Sequence, residues 1–320
     1  MTLAEIRAAA TRLHGVVHHT PVATCATLDR LAGCELFFKC EQFQKAGAFK
    51  YRGASNAVLS LSDREAARGV VTHSSGNHAA ALARAARRRG IAAYVVMPRT
   101  ASRLKWRAVQ EYGGHIVLCE PTFAARQAAA AALQAETGAV LIPPFDHAAV
   151  IAGQGTAALE LLADVPGLNA IVAPIGGGGM ISGAAIAANG LDPTIAVIAA
   201  EPAGADDAAR SKAAGQLLAQ TAPDSIADGL LTGLGTLNWP IVRDLVDAVV
   251  TISDEAIVAA MRLLWERAKL LVEPSAAIAL AAVLSPAFAA VPARRPLRRV
   301  GIILSGGNVD LDALPWNPGS

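Results

Sequence analysis

Lys50 lies in the run QFQKAGAFKYRG, residues 42–53, directly after Phe49, in a chain with only six lysines. A lysine that forms a Schiff base must lose its proton near neutral pH. An apolar neighbour such as Phe49 disfavours the ammonium form and offers a ring to pack against a flat cofactor. The same residues would also suit a solvated surface lysine. Three glycine-rich turns further along favour the chemical reading. In VVTHSSGNHAAALARAARRRG, a strand runs through Ser74, Ser75, Gly76, Asn77 and His78 into a helix whose first N–H groups have no intrahelical partner. With side-chain donors added, that turn suits a carboxylate; as an N-capping turn it needs no ligand. The strand AIVAPI enters Gly176, Gly177, Gly178 and Gly179 and then MISGAAIAANG, where four glycines let successive amides wrap a phosphate. In IILSGGNVD, Ser305 ends a strand and so faces the crevice where open α/β sheets bind ligands.

Other candidates carry less. Glu273, Pro274 and Ser275 open a further helix and have a ready local role there. Glu201, Asp206 and Asp207 in EPAGADD offer oxygens to a hard divalent cation, or simply a solvated loop. Glu201 also stands about where a ribose-binding acid would follow a dinucleotide loop. The glycines do not fit G-x-G-x-x-G, since Ile181 and Ser182 fall where its last glycine belongs, and no GK[ST] follows.

Such turns must be held by a sheet. Short runs rich in β-branched residues, Val70–His73, Ala93–Met97, His115–Leu118, Ala170–Pro174, Thr194–Ala199 and Val300–Leu304, alternate with helical patterns at His78–Arg89, Ser102–Tyr112, Thr122–Thr137, Gly155–Asp164 and Asp254–Lys269. Gly33–Lys39 and Val249–Ile252 add two further candidate strands. The alternation predicts an α/β fold with a mostly parallel sheet covered on both faces. Composition marks no domain boundary and no repeat.

With 320 residues the chain can bury a large core, and its net charge of +2 gives no nucleic-acid footprint. The basic cluster Arg84–Arg89 reads as a helix C-terminus. Four cysteines without a CxxC pair predict reduced thiols in the cytoplasm. The N-terminus reads as an amphipathic helix rather than a signal peptide. Residues 165–191 carry no charge, yet Pro174 and the glycines near their middle predict a strand, a turn and a buried helix in place of a membrane span.

Together FQKAGAFKYRGA, VVTHSSGNHAAALA, MPRTAS, VIAGQGTAALEL, GGGGMISG, EPAGADD, SIADG, WERAKLLVEPSAA and SGGNVD resemble the fold type II pyridoxal-phosphate enzymes, in the branch of serine/threonine dehydratases and serine racemase. The resemblance runs over nearly the whole chain. It implies two open, mostly parallel α/β domains, residues 1–68 with 147–320 and residues 69–146, with pyridoxal 5'-phosphate between them. It also implies that Lys50 carries the cofactor as a Schiff base and that Phe49 flanks its ring. Asn77 would bond its phenolic oxygen, Gly176 to Gly179 with Met180 would hold its phosphate, Ser305 would face its pyridine nitrogen, and Glu273 would stand beside it. Ser74 to His78 would take the substrate carboxylate. Glu201, Asp207 and the Ala205 carbonyl would hold Mg²⁺ or another divalent cation, and the protein would be a homodimer.

The activity so implied is conversion of L-threonine or L-serine to a 2-oxo acid and ammonia, with Lys50 as the base. A neutral Ser305 hydroxyl at the pyridine nitrogen would favour β-elimination. Ser75 matches the second base of serine racemase, so racemisation is an alternative, as is elimination from 3-hydroxyaspartate or phenylserine. Phe145 stands where animal serine racemases resemble one another in carrying asparagine, and Thr232 and Gly233 replace a serine pair. Both departures point away from racemisation. A nucleotide-binding or regulatory protein built on Gly176–Gly179 and Glu201 is the reading from a different class.

Overall fold

The computed structural model describes residues 1–74, 76–101 and 103–316. Its strands are β1 (Val22–Ala23), β2 (Glu35–Cys40), β3 (Val70–His73), β4 (Ala93–Pro98), β5 (His115–Cys119), β6 (Val140–Leu141), β7 (Ala170–Pro174), β8 (Ala196–Pro202), β9 (Ala248–Ile252) and β10 (Arg299–Leu304). Six form one sheet in the order β1-β2-β10-β7-β8-β9, and four form a second in the order β5-β4-β3-β6. All pairings are parallel except that of β1 with β2. Strands β7 and β8 are buried along their whole length, as expected where helices cover both faces of a parallel sheet.

Parallel order brings C-terminal strand ends to one edge. β10 lies between β2 and β7, with Ile302 opposite both Phe38 and Val172. The chain therefore leaves β2 toward Lys50, β7 toward the four glycines and β10 toward Ser305 from the same side. Three helices fix these exits. Ala148–Asp164 lies between Lys50–Ser60 and Gly179–Leu191 and meets both at glycine. A Cβ on Gly153 would come within 2.7 Å of the Gly53 Cα, and one on Gly183 within 2.5 Å of the Gly155 amide nitrogen. Any side chain there would push apart the two helices that begin in the site.

Every expected strand is present: Val70–His73 and Ala170–Pro174 keep their bounds, and the other strands have ends moved by at most three residues. β1 and β6 were not foreseen, because two residues carry no readable period. The helix expected over 254–269 ends at Leu263 and continues as a π turn over Leu264–Ala268, stopped by Lys269 with φ +59°. Leu3–Leu13 is the expected amphipathic helix, burying Ile6, Ala9 and Leu13. The arginine cluster ends a helix capped by Gly90 in the left-handed conformation. The Ser102 start of the next helix lies outside the described residues.

Candidate active site

Lys50 is the first residue of its helix, and the C-terminal turn holds the segment before it. The Phe49 amide donates to the Ser305 carbonyl (2.9 Å) and the Gly307 amide to the Gly47 carbonyl (3.0 Å), while Ala48 bridges Gly306. The amine of Lys50 donates to the Pro144 carbonyl at 3.0 Å and lies 5.0 Å from the centre of the Phe49 ring. Desolvation pushes the Lys50 pKa down to about 8, against the pull of Glu273, whose negative charge favours the ammonium form. An amine of this kind is in part a free nucleophile and base near neutral pH.

Glu273 is buried, and desolvation raises its carboxyl to about 7 although Asn77 donates to it. Asn77 opens the helix Asn77–Arg89; its Nδ2 lies 2.9 and 3.2 Å from the Glu273 oxygens. Ser74 and Gly76 precede it, joined by a long contact from the Gly76 amide to the Ser74 hydroxyl (3.5 Å). Ser75, the expected second base, lies outside the described residues. His78 corrects one expectation. Its Nε2 lies 3.0 Å from the Ile142 carbonyl, which can only accept, so Nε2 carries the proton and Nδ1 carries a lone pair. Desolvation, helped by Lys50, lowers its pKa to about 3, and the ring stays neutral. The imidazole therefore offers no donor to a carboxylate.

The four glycines leave β7 and start the helix Gly179–Leu191, with Gly178 at φ +90° as the residue before it. Gly176, Gly177 and Gly178 are packed too closely for a side chain. A Cβ on Gly176 would lie 2.9 Å from the Leu230 Cα, one on Gly177 2.3 Å from the Phe145 ring, and one on Gly178 2.6 Å from Leu234. Bare backbone amides at a helix start, lined by carbon on the outside, make a cradle that fits a phosphate. Met180 follows in the first helical turn, buried at 4% exposure. Ser305 is buried with its hydroxyl donating to the Ser275 carbonyl at 3.4 Å, so a neutral group stands at the end of β10. Lysine, donor amide, glycine cradle and neutral serine are a donor set that fits pyridoxal phosphate. Phe145 packs its ring on that cradle.

Glu201 sits at the end of β8, fully buried, and not in a solvated loop. Its two oxygens accept from the Ala208 and Ala209 amides, both at 2.8 Å, which removes it as a ribose-binding acid. Asp207 accepts from the Leu234 amide (2.8 Å) and from Gln220 (2.9 Å). Desolvation raises both acids, Glu201 to about 8. Among the described residues there is no group of three or more metal-ligating side chains, so a cation here would depend on two carboxylates and the Ala205 carbonyl. Among the same residues no helix is long and apolar enough to cross a membrane, and the four cysteines are free.

Sequence reasoning missed a network two residues beyond Lys50. Arg52, fully buried, donates to both oxygens of Glu41 (2.8 Å each) and both of Glu160 (2.7 Å each). Lys39, also fully buried, bonds the Thr20 carbonyl at 2.7 Å and lies 2.8 Å from Glu160. Its members are spread from residue 20 to residue 160, and no local pattern marks residues that meet only in the fold.

The whole arrangement has known counterparts. The family model "Pyridoxal-phosphate dependent enzyme" matches residues 14–306. The chain is 53% identical to a serine racemase of rice over 310 residues, 97% of this chain and 91% of that one. It is 51% identical to a β-hydroxyaspartate dehydratase of Paracoccus denitrificans over 318 residues, 99% of each. The solved structure of maize serine racemase superposes with a TM-score of 0.96 at 51% identity, covering 97% of this chain and 94% of that one. The chain belongs to the pyridoxal-phosphate-dependent enzymes, in the branch that holds serine racemases and hydroxy-amino-acid dehydratases.

Proposed function

We propose that the protein is a dehydratase that converts a β-hydroxy amino acid, L-threonine or L-serine in the first instance, to a 2-oxo acid and ammonia. The observation that carries this reading is Lys50, an amine held against the Pro144 carbonyl with its pKa lowered to about 8. Bound at Lys50, the cofactor supplies a conjugated ring that accepts electrons from the substrate's α-carbon. The residues of the chain do the rest. The amides from Gly176 to Met180 would hold its phosphate, Phe49 would flank its ring, Asn77 would donate to its phenolic oxygen, and Ser305 would stand at its pyridine nitrogen. The N–H groups of the Ser74–His78 turn take the substrate carboxylate. Lys50, as a free amine, would remove the α-proton. With the β-hydroxyl lost as water, the resulting enamine takes up water and yields the oxo acid and ammonia.

Glu201, Asp207 and the Ala205 carbonyl are proposed to hold Mg²⁺, which the raised pKa of both acids supports, since a cation would relieve two desolvated carboxylates. Residues 69–146 are proposed as a domain of their own, supported by β3 to β6 lying wholly within them. The free cysteines support a cytoplasmic protein, and a homodimer is expected from the family. Racemisation of serine is the second reading, favoured by the 53% identity to a serine racemase; it needs a base opposite Lys50, and Ser75 is the candidate.

The test is release of oxo acid by the cofactor-loaded protein, with and without Mg²⁺, from L-threonine, L-serine, threo-3-hydroxyaspartate and phenylserine in parallel. Turnover of one names the substrate. D-Serine from L-serine, with no oxo acid from any of the four, replaces the dehydratase reading by the racemase one.

A further inference from the structure

Asn77 can bond a phenolic oxygen usefully only if its amide presents Nδ2 to the cofactor. An amide turned about its Cγ presents a carbonyl of nearly the same shape and opposite polarity. Glu273 settles that orientation only while ionised, because a protonated carboxyl can donate to Oδ1 as readily as a carboxylate accepts from Nδ2. Its carboxyl is pushed up to about 7, so both forms are populated near neutral pH.

The deciding contact comes from the C-terminal turn. Asn308 places its Nδ2 2.8 Å from the Ala46 carbonyl, which can only accept, and this fixes the Asn308 amide. The second hydrogen of the same nitrogen points to Asn77 Oδ1, also at 2.8 Å. Gly47, at φ +72°, lies under the Asn308 side chain so closely that a Cβ would come within 2.4 Å of its Oδ1. Polarity is therefore passed along a chain of three groups: the Ala46 carbonyl orients Asn308, Asn308 takes Oδ1 of Asn77, and Nδ2 of Asn77 is left for Glu273 and the cofactor. The chain starts four residues before Lys50 and ends at the first residue of the helix Asn77–Arg89.

We infer that Asn308 is a positioning residue that fixes the amide of Asn77 with its donor toward the cofactor's phenolic oxygen. The inference rests on the cofactor assignment above and extends it to a residue that does not touch the reacting atoms. Asn308→Asp removes the donor and offers an acceptor in its place, so Asn77 turns its Nδ2 to the new carboxylate and presents a carbonyl to the phenolic oxygen. Asn308→Ala removes the donor alone and leaves Asn77 free to adopt either orientation.

Two readouts apart from turnover test this: the dissociation constant of pyridoxal phosphate, and the absorption band of the bound cofactor, which reports the ionisation of its phenol. Asn308→Asp should weaken cofactor binding by about 3–10-fold and move the band toward the protonated phenol, and Asn308→Ala should do both to a smaller extent. A purely structural loss of the bond to Ala46 would lower the stability of both variants alike and leave the band in place, which would overturn the inference.

A direct action of the introduced carboxylate's charge on the cofactor is separated by a cycle with Asn77→Ala. In that background Asn308→Asp should change the band no further. If it changes the band as much as in the parent, Asn308 does not act through Asn77. Failure of the cofactor assignment itself is distinct, since the parent protein and Lys50→Ala would then give the same band.

Discussion

Lys50 and Arg52 are two residues apart on one helix, both beside buried carboxylates, and their surroundings act on them in opposite directions. At Lys50 desolvation prevails: the amine falls to about 8 and the facing Glu273 rises to about 7. At Arg52 desolvation also opposes the charge, yet Glu41 and Glu160 outweigh it and hold the guanidinium more firmly protonated than usual. Glu160, whose own desolvation is outweighed by Arg52 and Lys39, is lowered. Burial is common to both, so burial alone does not make a reactive group. Paired donors and acceptors at 2.7–2.8 Å keep Arg52 charged, whereas Lys50 has a neutral carbonyl at 3.0 Å and a carboxyl that is itself easily protonated. Placing both on one helix lets the satisfied network hold the start of the helix still while the unsatisfied amine reacts.

The largest expected effect breaks the reactive half. Lys50→Ala should lower turnover by more than about 10³-fold, because one side chain binds the cofactor and moves the α-proton. It should leave urea stability of the cofactor-free protein unchanged or slightly higher, since a desolvated cation is removed. A variant that retains a tenth of the parent activity would assign the proton transfer elsewhere. Arg52→Met breaks the other half and should show the reverse pattern. It leaves Glu41 buried without its partner and Glu160, partly exposed, still paired with Lys39, at a cost of about 3–5 kcal/mol read from urea unfolding, while folded molecules below the transition keep the parent absorption band. Equal stability of Arg52→Met and parent would mean that water already solvates those carboxylates.

A pH series sharpens the contrast. The cofactor-free protein should capture pyridoxal phosphate at a rate that rises about tenfold per pH unit below the Lys50 pKa, as the free amine becomes available, and levels off above about 8. The charge of Glu273 raises Lys50, so Glu273→Gln should move the plateau to lower pH. A plateau left in place would mean that the carboxyl is neutral in this range. Stability should respond to the two groups with opposite signs. Lys50 is lowered, so the unfolded chain binds more protons between about 8 and its ordinary value, and stability rises with pH there. Glu273 is raised, so the folded chain binds more protons between its ordinary value and about 7, and stability falls with pH across that window.

These two halves were not equally legible in the sequence. Lys50, the Ser74–His78 turn, Gly176–Gly179 and Ser305 occur in short runs where residue type and neighbour carry the chemistry, and parallel strands with glycine turns are readable locally. The Arg52 network was illegible because its partners come from Thr20, Lys39, Glu41 and Glu160, and nothing near Arg52 distinguishes it from a surface arginine. Glu201 was legible as an acid but not as a buried one that accepts from the Ala208 and Ala209 amides. The ring of His78 was read as a donor because its role depends on the Ile142 carbonyl, 64 residues away. Gly53, Gly153, Gly155 and Gly183 were readable in principle, as small residues recurring on helices, but only crossing helices explain why no Cβ fits.

The smallest expected effect concerns the surface ion pair of Lys105 with Asp228, 2.6 Å apart and 39% and 58% exposed, which joins the helix Arg103–Glu111 beside the four-stranded sheet to the SIADG turn after β8. Exposed pairs contribute about 0.2–1 kcal/mol, so Lys105→Ala or Asp228→Ala should raise KM by about 1.5–5-fold, and 0.5 M salt should erase most of the difference. Each charge also acts on Glu273, and with opposite sign: Asp228 raises its pKa and Lys105 lowers it. Lys105→Ala should therefore move the Glu273 titration up and Asp228→Ala should move it down, both read from the pH dependence of the cofactor band at low salt. The same variants should leave the urea stability supplied by the Arg52 network untouched, because its charges are already paired at contact distance and a distant surface charge adds little to them. Shifts of the same sign in both variants would show that the pair acts by holding the two elements together, with its charges playing no part at Glu273. Opposite shifts would show that the unpaired half of the molecule is tuned by surface charge while the paired half is insulated from it.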